Sequence, residues 1–293
     1  MNDNFRITAV QAAAVAIGQP RAEFEAAVRD ILAEHPDTAM LVYPELHLFH
    51  SLATELAEQT TELHGAGVTI GGEFTDWLAS IAREHGIWFI PGSIVESNGD
   101  DMFNTAVVFS PQGELVARYR KMFPWRPFEP FTPGTEFTVF DIDGVGRFGI
   151  DICYDAWFPE VSRSLGWLGA DAIINVVKTT TPDRAQETVL ARANSIVNQV
   201  FTVSVNTAGP VGFGHSLTVG PEGEVLDELP GTAVGVVVTD FSQRRVDEVR
   251  TNGTAGTNRM WEQFRPTDSP IPLPIYDGRI DPSTWAPNRS TQP

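Results

Sequence analysis

The stretch GIDICYDAWFPE, residues 149–160, decides how this chain is read. Its first half continues the apolar run of a buried strand, and Pro159 opens a helix beyond it. At the junction stands Cys153, the only cysteine among 293 residues. Two readings are open. A free cysteine commonly packs as a small hydrophobe. A cysteine where a strand gives way to a turn is also placed as a nucleophile over a sheet edge, and a nearby helix start favours its thiolate. One cysteine cannot form an intrachain disulfide, so no redox compartment is encoded that way.

The flanking sequence supplies alternating strands and helices with hairpins between them. Downstream, DAIINVV is a strand, residues 183–198 a helix and VFTVSVN another strand. HSLTVGPEGEVLDEL reads as a hairpin turning at Pro221-Glu222-Gly223, and AVGVVVTD as the last strand. Upstream, residues 5–10 form a strand, and Pro20 opens a helix with Phe24, Val28, Ile31 and Leu32 on one face. Residues 40–43 are a short apolar strand. Residues 74–85 are a helix ended by Gly86, and IWFIPGS is the strand after it. NTAVVFSPQGELVARYRK and FTVFDIDGVGRFGIDIC are two further hairpins. The pattern predicts an α/β protein with mixed sheets layered by helices. Residues 1–268 form one domain, and the proline-rich tail 269–293 is an extended arm. Its Ile275, Tyr276 and Trp285 suggest packing on a second subunit.

Composition excludes some partners. The formal net charge is −18, and such a surface repels nucleic acid and anionic membranes. It also disfavours a highly anionic substrate unless a local basic site receives it. No run reaches the about 18 apolar residues of a membrane span, and the N-terminus lacks a basic, then apolar leader. A cytoplasmic location is the expectation.

Three places have the makings of a site. In LVYPELHLF a strand ends, proline blocks its continuation, and Glu45 emerges at the carboxyl edge, where α/β sheets bind ligands. A solvated loop carboxylate is the plainer reading. In RYRKMFPWRPFEPFTPG, Lys121 follows a strand and enters a segment with Phe123, Trp125, Phe128 and Phe131, while Glu129 lies eight residues on. That lysine is either a surface cation–π or snorkelling residue, or a fixed cation in a partly dry pocket. Cys153 is the third. The parts are complementary: a thiol needs a base, and a carbonyl under attack needs donors for its developing oxyanion.

YPELHL, YRKMFPW with its following glutamate and PG, and GIDICYDAWFPE, in that order, resemble the nitrilase or carbon–nitrogen hydrolase superfamily, amidase-like branch. The resemblance spans residues 5 to about 240, and the separation of 32 from Lys121 to Cys153 fits it. It implies a four-layer αββα sandwich with two mixed β-sheets. It implies Glu45 as general base, Cys153 as nucleophile and Lys121 as stabiliser of the tetrahedral intermediate. The backbone N–H of Tyr154 becomes the second oxyanion donor, and Glu129 the glutamate that orients lysine or substrate. The implied chemistry is hydrolysis of a small amide through a thioester, with no metal or organic cofactor, in a homodimer or larger assembly.

True nitrilases in this superfamily usually carry Cys-Trp-Glu, whereas this chain has Cys153-Tyr154-Asp155, closer to amidases. The basic residues that hold a carboxylate in N-carbamoyl amino-acid hydrolases are not supplied by Ala156-Trp157-Phe158. Phe123, Trp125, Phe128 and Trp157 either wall an apolar acyl pocket or fill the core. Lys178, in NVVKTTTPDRAQ, also leaves a sheet edge, where the family often has a small-residue loop. It either faces solvent or binds a substrate carboxylate, and the second reading keeps ω-amide and carbamoyl acids in view. His47 and His50 lack the frame of a zinc site, and the glycine-rich GAGVTIGGEF lacks the Lys-Ser/Thr of a phosphate loop. A non-catalytic scaffold that keeps the fold is the remaining alternative.

Overall fold

Strand residues that alternate between two covered faces make a protein of stacked layers, and the computed structural model of the chain has four. It describes residues 5–273 and 278–280. The first sheet contains β1 (Phe5–Gln11), β2 (Met40–Val42), β3 (Trp88–Ile90), β4 (Ser93–Asn98), β5 (Asp101–Phe109) and β6 (Leu115–Arg120). The second contains β7 (Thr138–Ile142), β8 (Gly146–Ile152), β9 (Ala172–Val177), β10 (Phe201–Asn206), β11 (Leu217–Val219) and β12 (Val225–Glu228). A last long strand, β13 (Gly235–Phe241), returns to the first sheet beside β1, giving the order β13-β1-β2-β3-β5-β4 with β6 on β5. The second sheet runs β12-β11-β10-β9-β8-β7. Parallel pairing joins β1, β2 and β3 in one sheet and β8, β9 and β10 in the other.

The central layer is where the sheets face each other. Ile7, Met40, Val42 and Ile90 of the first meet Phe148, Ile150, Ile174 and Val203 of the second in one buried cluster. The residues between them point the other way. Leu41 and Phe89 pack outward on Phe24 and Val28 of α1 (Arg21–Glu34) and on Leu78 and Ile81 of α3 (Glu73–His85). Between them in sequence comes α2 (Leu56–Ala66), which buries no residue and has no apolar stripe to announce it. On the far side, Ile173 packs on Val161 and Leu165 of α4 (Pro159–Trp167). Leu217 and Val219 pack on Ala191 of α5 (Arg184–Asn198). The order is helices, sheet, sheet, helices: the expected αββα sandwich. A further helix, α6 (Gln243–Asn252), follows β13.

No helix among the described residues is long and apolar enough to cross a membrane. Of the tail, β14 (Ile271–Leu273) and β15 (Gly278–Ile280) pair antiparallel. Ile275, Tyr276 and Trp285, on which the reading of a subunit-packing arm rests, lie outside the described residues.

Candidate active site

The strands deliver the three sequence-marked groups to one edge. Glu45 follows β2, Lys121 follows β6 and Cys153 follows β8. Two glycines allow the first two loops to close. A Cβ on Gly92 would sit 1.7 Å from the Pro44 carbonyl oxygen, and one on Gly134 would sit 2.1 Å from that of Arg120. Lys121 is pinned by its backbone, donating N–H to Asn104 O at 2.9 Å and accepting from Gly134 at 2.8 Å. Cys153 has φ 50° and Leu46, next to Glu45, has φ 47°. Both are left-handed conformations that cost a non-glycine residue about 1 kcal/mol or more. Strained backbone therefore flanks the carboxylate and carries the thiol.

Lys121 is 1 % exposed and its ammonium lies between two carboxylates. Nζ donates to Glu45 Oε1 at 2.9 Å and to Glu129 Oε1 at 2.7 Å. Burial alone would lower its pKa, but the charges of Glu45 and Glu129 outweigh that and hold it well above the usual lysine value. Glu129 is fixed in turn by the Trp125 N–H on Oε2 at 3.0 Å. Asn104 donates a second bond to Glu45 Oε1 at 2.7 Å. Both donated bonds fall on that oxygen, which leaves Oε2 as the atom of Glu45 able to accept a proton.

Asp155 ties the thiol's turn to the lysine segment. Residues Cys153–Trp157 form a short 3-10 turn before α4. The buried Asp155 carboxyl accepts from Tyr119 Oη at 2.8 Å, Phe123 N at 2.8 Å and Ile152 N at 3.2 Å. Burial raises its pKa to about 6, against the opposing charge of Lys121. The sequence pattern Cys-Tyr-Asp thus has a structural reason beyond branch membership.

The thiol is less acidic than its position after a strand suggested. Burial pushes the Cys153 pKa well up, Glu45 adds to the rise, and Lys121 opposes it without prevailing. No helix N-terminus caps it, because α4 begins six residues later at Pro159. Cys153 therefore rests as a thiol and needs a base at the moment of attack.

A second set of groups meets the same sulfur, and the sequence reading missed it. Thr179 Oγ1 lies 3.8 Å from Cys153 Sγ and 2.8 and 2.7 Å from the two oxygens of Glu187. With its hydroxyl proton given to the carboxylate, Thr179 is an acceptor for the thiol proton. Glu187, 7 % exposed, pairs with the buried Arg184 at 3.1 Å and receives a long bond from Trp157 Nε1 at 3.4 Å. Arg184 is anchored by the carbonyls of Gly214, Ser204 and His215 and by Ser204 Oγ. No sequence signal marked it: Arg184, Glu187, Ser195 and Asn198 occupy the inward face of α5, polar groups where a core helix should be apolar.

The reactive edge opens as two chambers. An inner one of about 40 Å³ is walled by Cys153, Tyr154, Thr179 and Glu187, and an outer one of about 260 Å³ by Phe128, His50, Gln59 and others. Trp125, Glu129, Lys178 and Thr180 border both. The aromatics left open between pocket and core divide. Phe123 borders neither chamber; its ring stacks on Phe158 at 3.7 Å between centroids, in the cluster beneath α4. Trp157 is likewise turned to Glu187 and Tyr154 and borders neither. Lys178 is half-buried. His47 packs its ring 4.8 Å from Tyr43 and 5.5 Å from Phe24, and burial lowers its pKa to about 3 with help from Lys178. Among the described residues, no group of three or more His, Cys, Asp or Glu is arranged to hold a metal ion.

An αββα sandwich whose strand ends bring a glutamate and a lysine together with a cysteine defines a nitrilase-type hydrolase. The sequence profile of the carbon-nitrogen hydrolase family matches residues 6–251, and the chain belongs to that family. Formamidases of Bacillus thuringiensis (strain Al Hakam) and Bacillus anthracis are each 29 % identical to it over 258 residues, spanning 83 % of this chain and 76 % of theirs. Among solved structures, an amidase from Nesterenkonia sp. superposes with a TM-score of 0.70 at 25 % identity, covering 86 % of this chain and 95 % of that one. Saccharomyces cerevisiae Nit3, a member of branch 10 of the nitrilase superfamily, shares the fold with a TM-score of 0.76 at 23 % identity, covering 87 % and 96 %.

Proposed function

We propose that this carbon–nitrogen hydrolase converts a small carboxylic amide and water to the acid and ammonia through a thioester on Cys153. The observation that carries the reading is the buried Lys121 ammonium, held 2.9 Å from Glu45 and 2.7 Å from Glu129 at the strand edge that also bears the thiol. Similarity to formamidases and to an amidase supports amides as the substrate class. The inner chamber, about 40 Å³, suits an amide head of a few atoms, since a single water needs about 10–15 Å³ by such a measure.

Oε2 of Glu45 takes the thiol proton as Sγ bonds to the carbonyl carbon, so no free thiolate is stored. The developing oxyanion is met by the Lys121 ammonium and the backbone N–H of Tyr154. Glu129 holds Lys121 in place and adds to the charge that keeps it protonated. Glu45 returns the proton to the leaving nitrogen, ammonia departs, and the acyl group stays on sulfur. Glu45 then removes a proton from water, whose oxygen attacks the thioester carbonyl; the acid leaves and the thiol is restored. Lys121 keeps its charge throughout.

The test is ammonia release from formamide and a panel of short amides, nitriles and carbamoyl compounds by the purified chain, with intact-mass detection of an acyl adduct. Turnover of amides with an acyl mass on Cys153 is the expected outcome. Turnover by Cys153→Ala at the parental rate sinks the mechanism. No turnover of any compound in the panel favours the scaffold alternative.

A further inference from the structure

We propose that Lys178 receives a carboxylate carried by the substrate, so that the preferred amides are acid amides. This deepens the amidase reading above and rests on it. Lys178 follows β9 and stands where the inner chamber meets the outer one. A substrate whose amide reaches Cys153 must run its remaining atoms past this side chain.

The cations of this region differ in how they are satisfied. Lys121 is held by Glu45 and Glu129, and Arg184 by Glu187, a hydroxyl and three carbonyls. Lys178 makes no hydrogen bond or ion pair with any described residue. The neighbouring carboxylates are already committed. Glu129 gives one oxygen to Lys121 and the other to the Trp125 N–H, while Glu187 serves Thr179, Arg184 and Trp157. Asp183 bonds Thr181. A half-buried ammonium with no hydrogen-bond or ion-pair partner among the described residues, on the path to a nucleophile, is a site for an anion from outside. The overall charge of −18 sharpens the point. An anionic substrate approaches this surface against the field, and its charge needs one local cation to be tolerated. A neutral amide has no use for that ammonium.

The chemistry shared by two substrate types fits: a carboxylate on the acyl side, as in a dicarboxylic acid monoamide, or on the amine side, as in an N-carbamoyl amino acid. Matched pairs separate them. Butanedioic acid monoamide is compared with butyramide, and N-carbamoyl-β-alanine with propylurea, each pair differing in carboxylate against methyl. For the wild-type chain, kcat/KM is expected to favour the carboxylate member of one pair by about 10- to 100-fold, as a charge-assisted hydrogen bond supplies. The pair that shows the preference identifies the side. In Lys178→Met that ratio should collapse toward one, and Lys178→Arg should retain most of it. Should Lys178→Met fail to fold, butanedioate is expected to compete with formamide in the wild type, and butyramide to compete more weakly. A wild type that handles the neutral member as well as the acid, or a ratio unchanged in Lys178→Met, overturns the inference while leaving the amidase reading intact. If formamide and both pairs are inert, it is the amidase reading that fails.

Discussion

Cys153 has two flanks, and they are built differently. On one side Glu45, Lys121 and Glu129 come from loops after strands of the first sheet or close to them, and two hydrogen bonds of 2.9 and 2.7 Å join them. On the other, Thr179 leaves the end of β9, and Glu187 and Arg184 stand on the first turn of α5, all in the second sheet's half of the sandwich. The first flank contains a carboxylate oxygen free to take a proton and an ammonium beside it. The second contains a hydroxyl already committed to a carboxylate that is itself paired with an arginine. Under the proposed mechanism the difference amounts to a division of labour: one flank would move a proton and offset charge, while the other would hold the sulfur still.

Breaking the first flank should have the larger effect. Cys153→Ala and Glu45→Gln are each expected to lower kcat/KM for the best amide by at least about 1,000-fold, because nucleophile and base act as a unit. Thermal unfolding of Cys153→Ala should stay within about 3 °C of the parent, since a half-buried sulfur contributes little packing. Residual activity above a few per cent in Glu45→Gln would move the base to Glu187 and reverse the comparison.

The second flank sharpens the contrast at smaller cost in rate. Glu187→Gln keeps the shape of the side chain but removes the charge facing Arg184, a residue 1 % exposed. A drop of about 10- to 100-fold in kcat is expected together with a clear loss of thermal stability, because removing one partner of a buried pair costs about 3–5 kcal/mol. Thr179→Val removes only the hydroxyl at the thiol, for a loss of about 3- to 10-fold in kcat with KM nearly unchanged, in proportion to one modest hydrogen bond. If Thr179→Val instead silences the enzyme as fully as Glu45→Gln, the proton leaves through Thr179.

The two flanks also differ in how they are written in the sequence. Glu45 follows a Tyr-Pro that stops a strand, and Lys121 sits among aromatics just after another, so each was visible as a polar group at a sheet edge. Mixed sheets layered with helices were legible from the strand and helix order, and the four-layer sandwich followed from the family resemblance; the structure realises it with Leu41 and Phe89 facing the helices and Met40 and Ile90 facing the other sheet. The Thr179 flank was hidden by the orientation of α5. Its apolar Val189, Ile196 and Val197 are 64, 49 and 42 % exposed, while Arg184 and Glu187 point inward. The sequence assigns the helix without its facing, and only the tertiary partners of Arg184 reveal why polar groups belong inside. Phe123 and Trp157 were left open between core and pocket for a related reason: an aromatic side chain fills either with the same chemistry, and one sequence does not state which. The missing apolar stripe of α2 left that helix unread as well.

Beneath both flanks lies a buried carboxyl that neither uses, and it gives the gentlest test. Asp151, on β8 two residues before Cys153, is 1 % exposed and accepts from Asn175 Nδ2 at 2.6 Å. Burial, with the charge of Asp155 adding to it, raises its pKa to about 8 from an ordinary 3.8. The folded chain then holds a proton that the unfolded chain gives up once pH exceeds about 4. Stability from this group is fully present below that pH and is lost as pH rises through about 8. Asp151→Asn has no proton to lose. Its melting temperature relative to the parent should therefore climb by a few degrees between pH 6 and pH 9, with little change in amide turnover at pH 6. A difference in melting temperature independent of pH would mean that Asp151 is ionised in the fold, with the charge at the foot of the thiol's strand borne by the scaffold instead of removed.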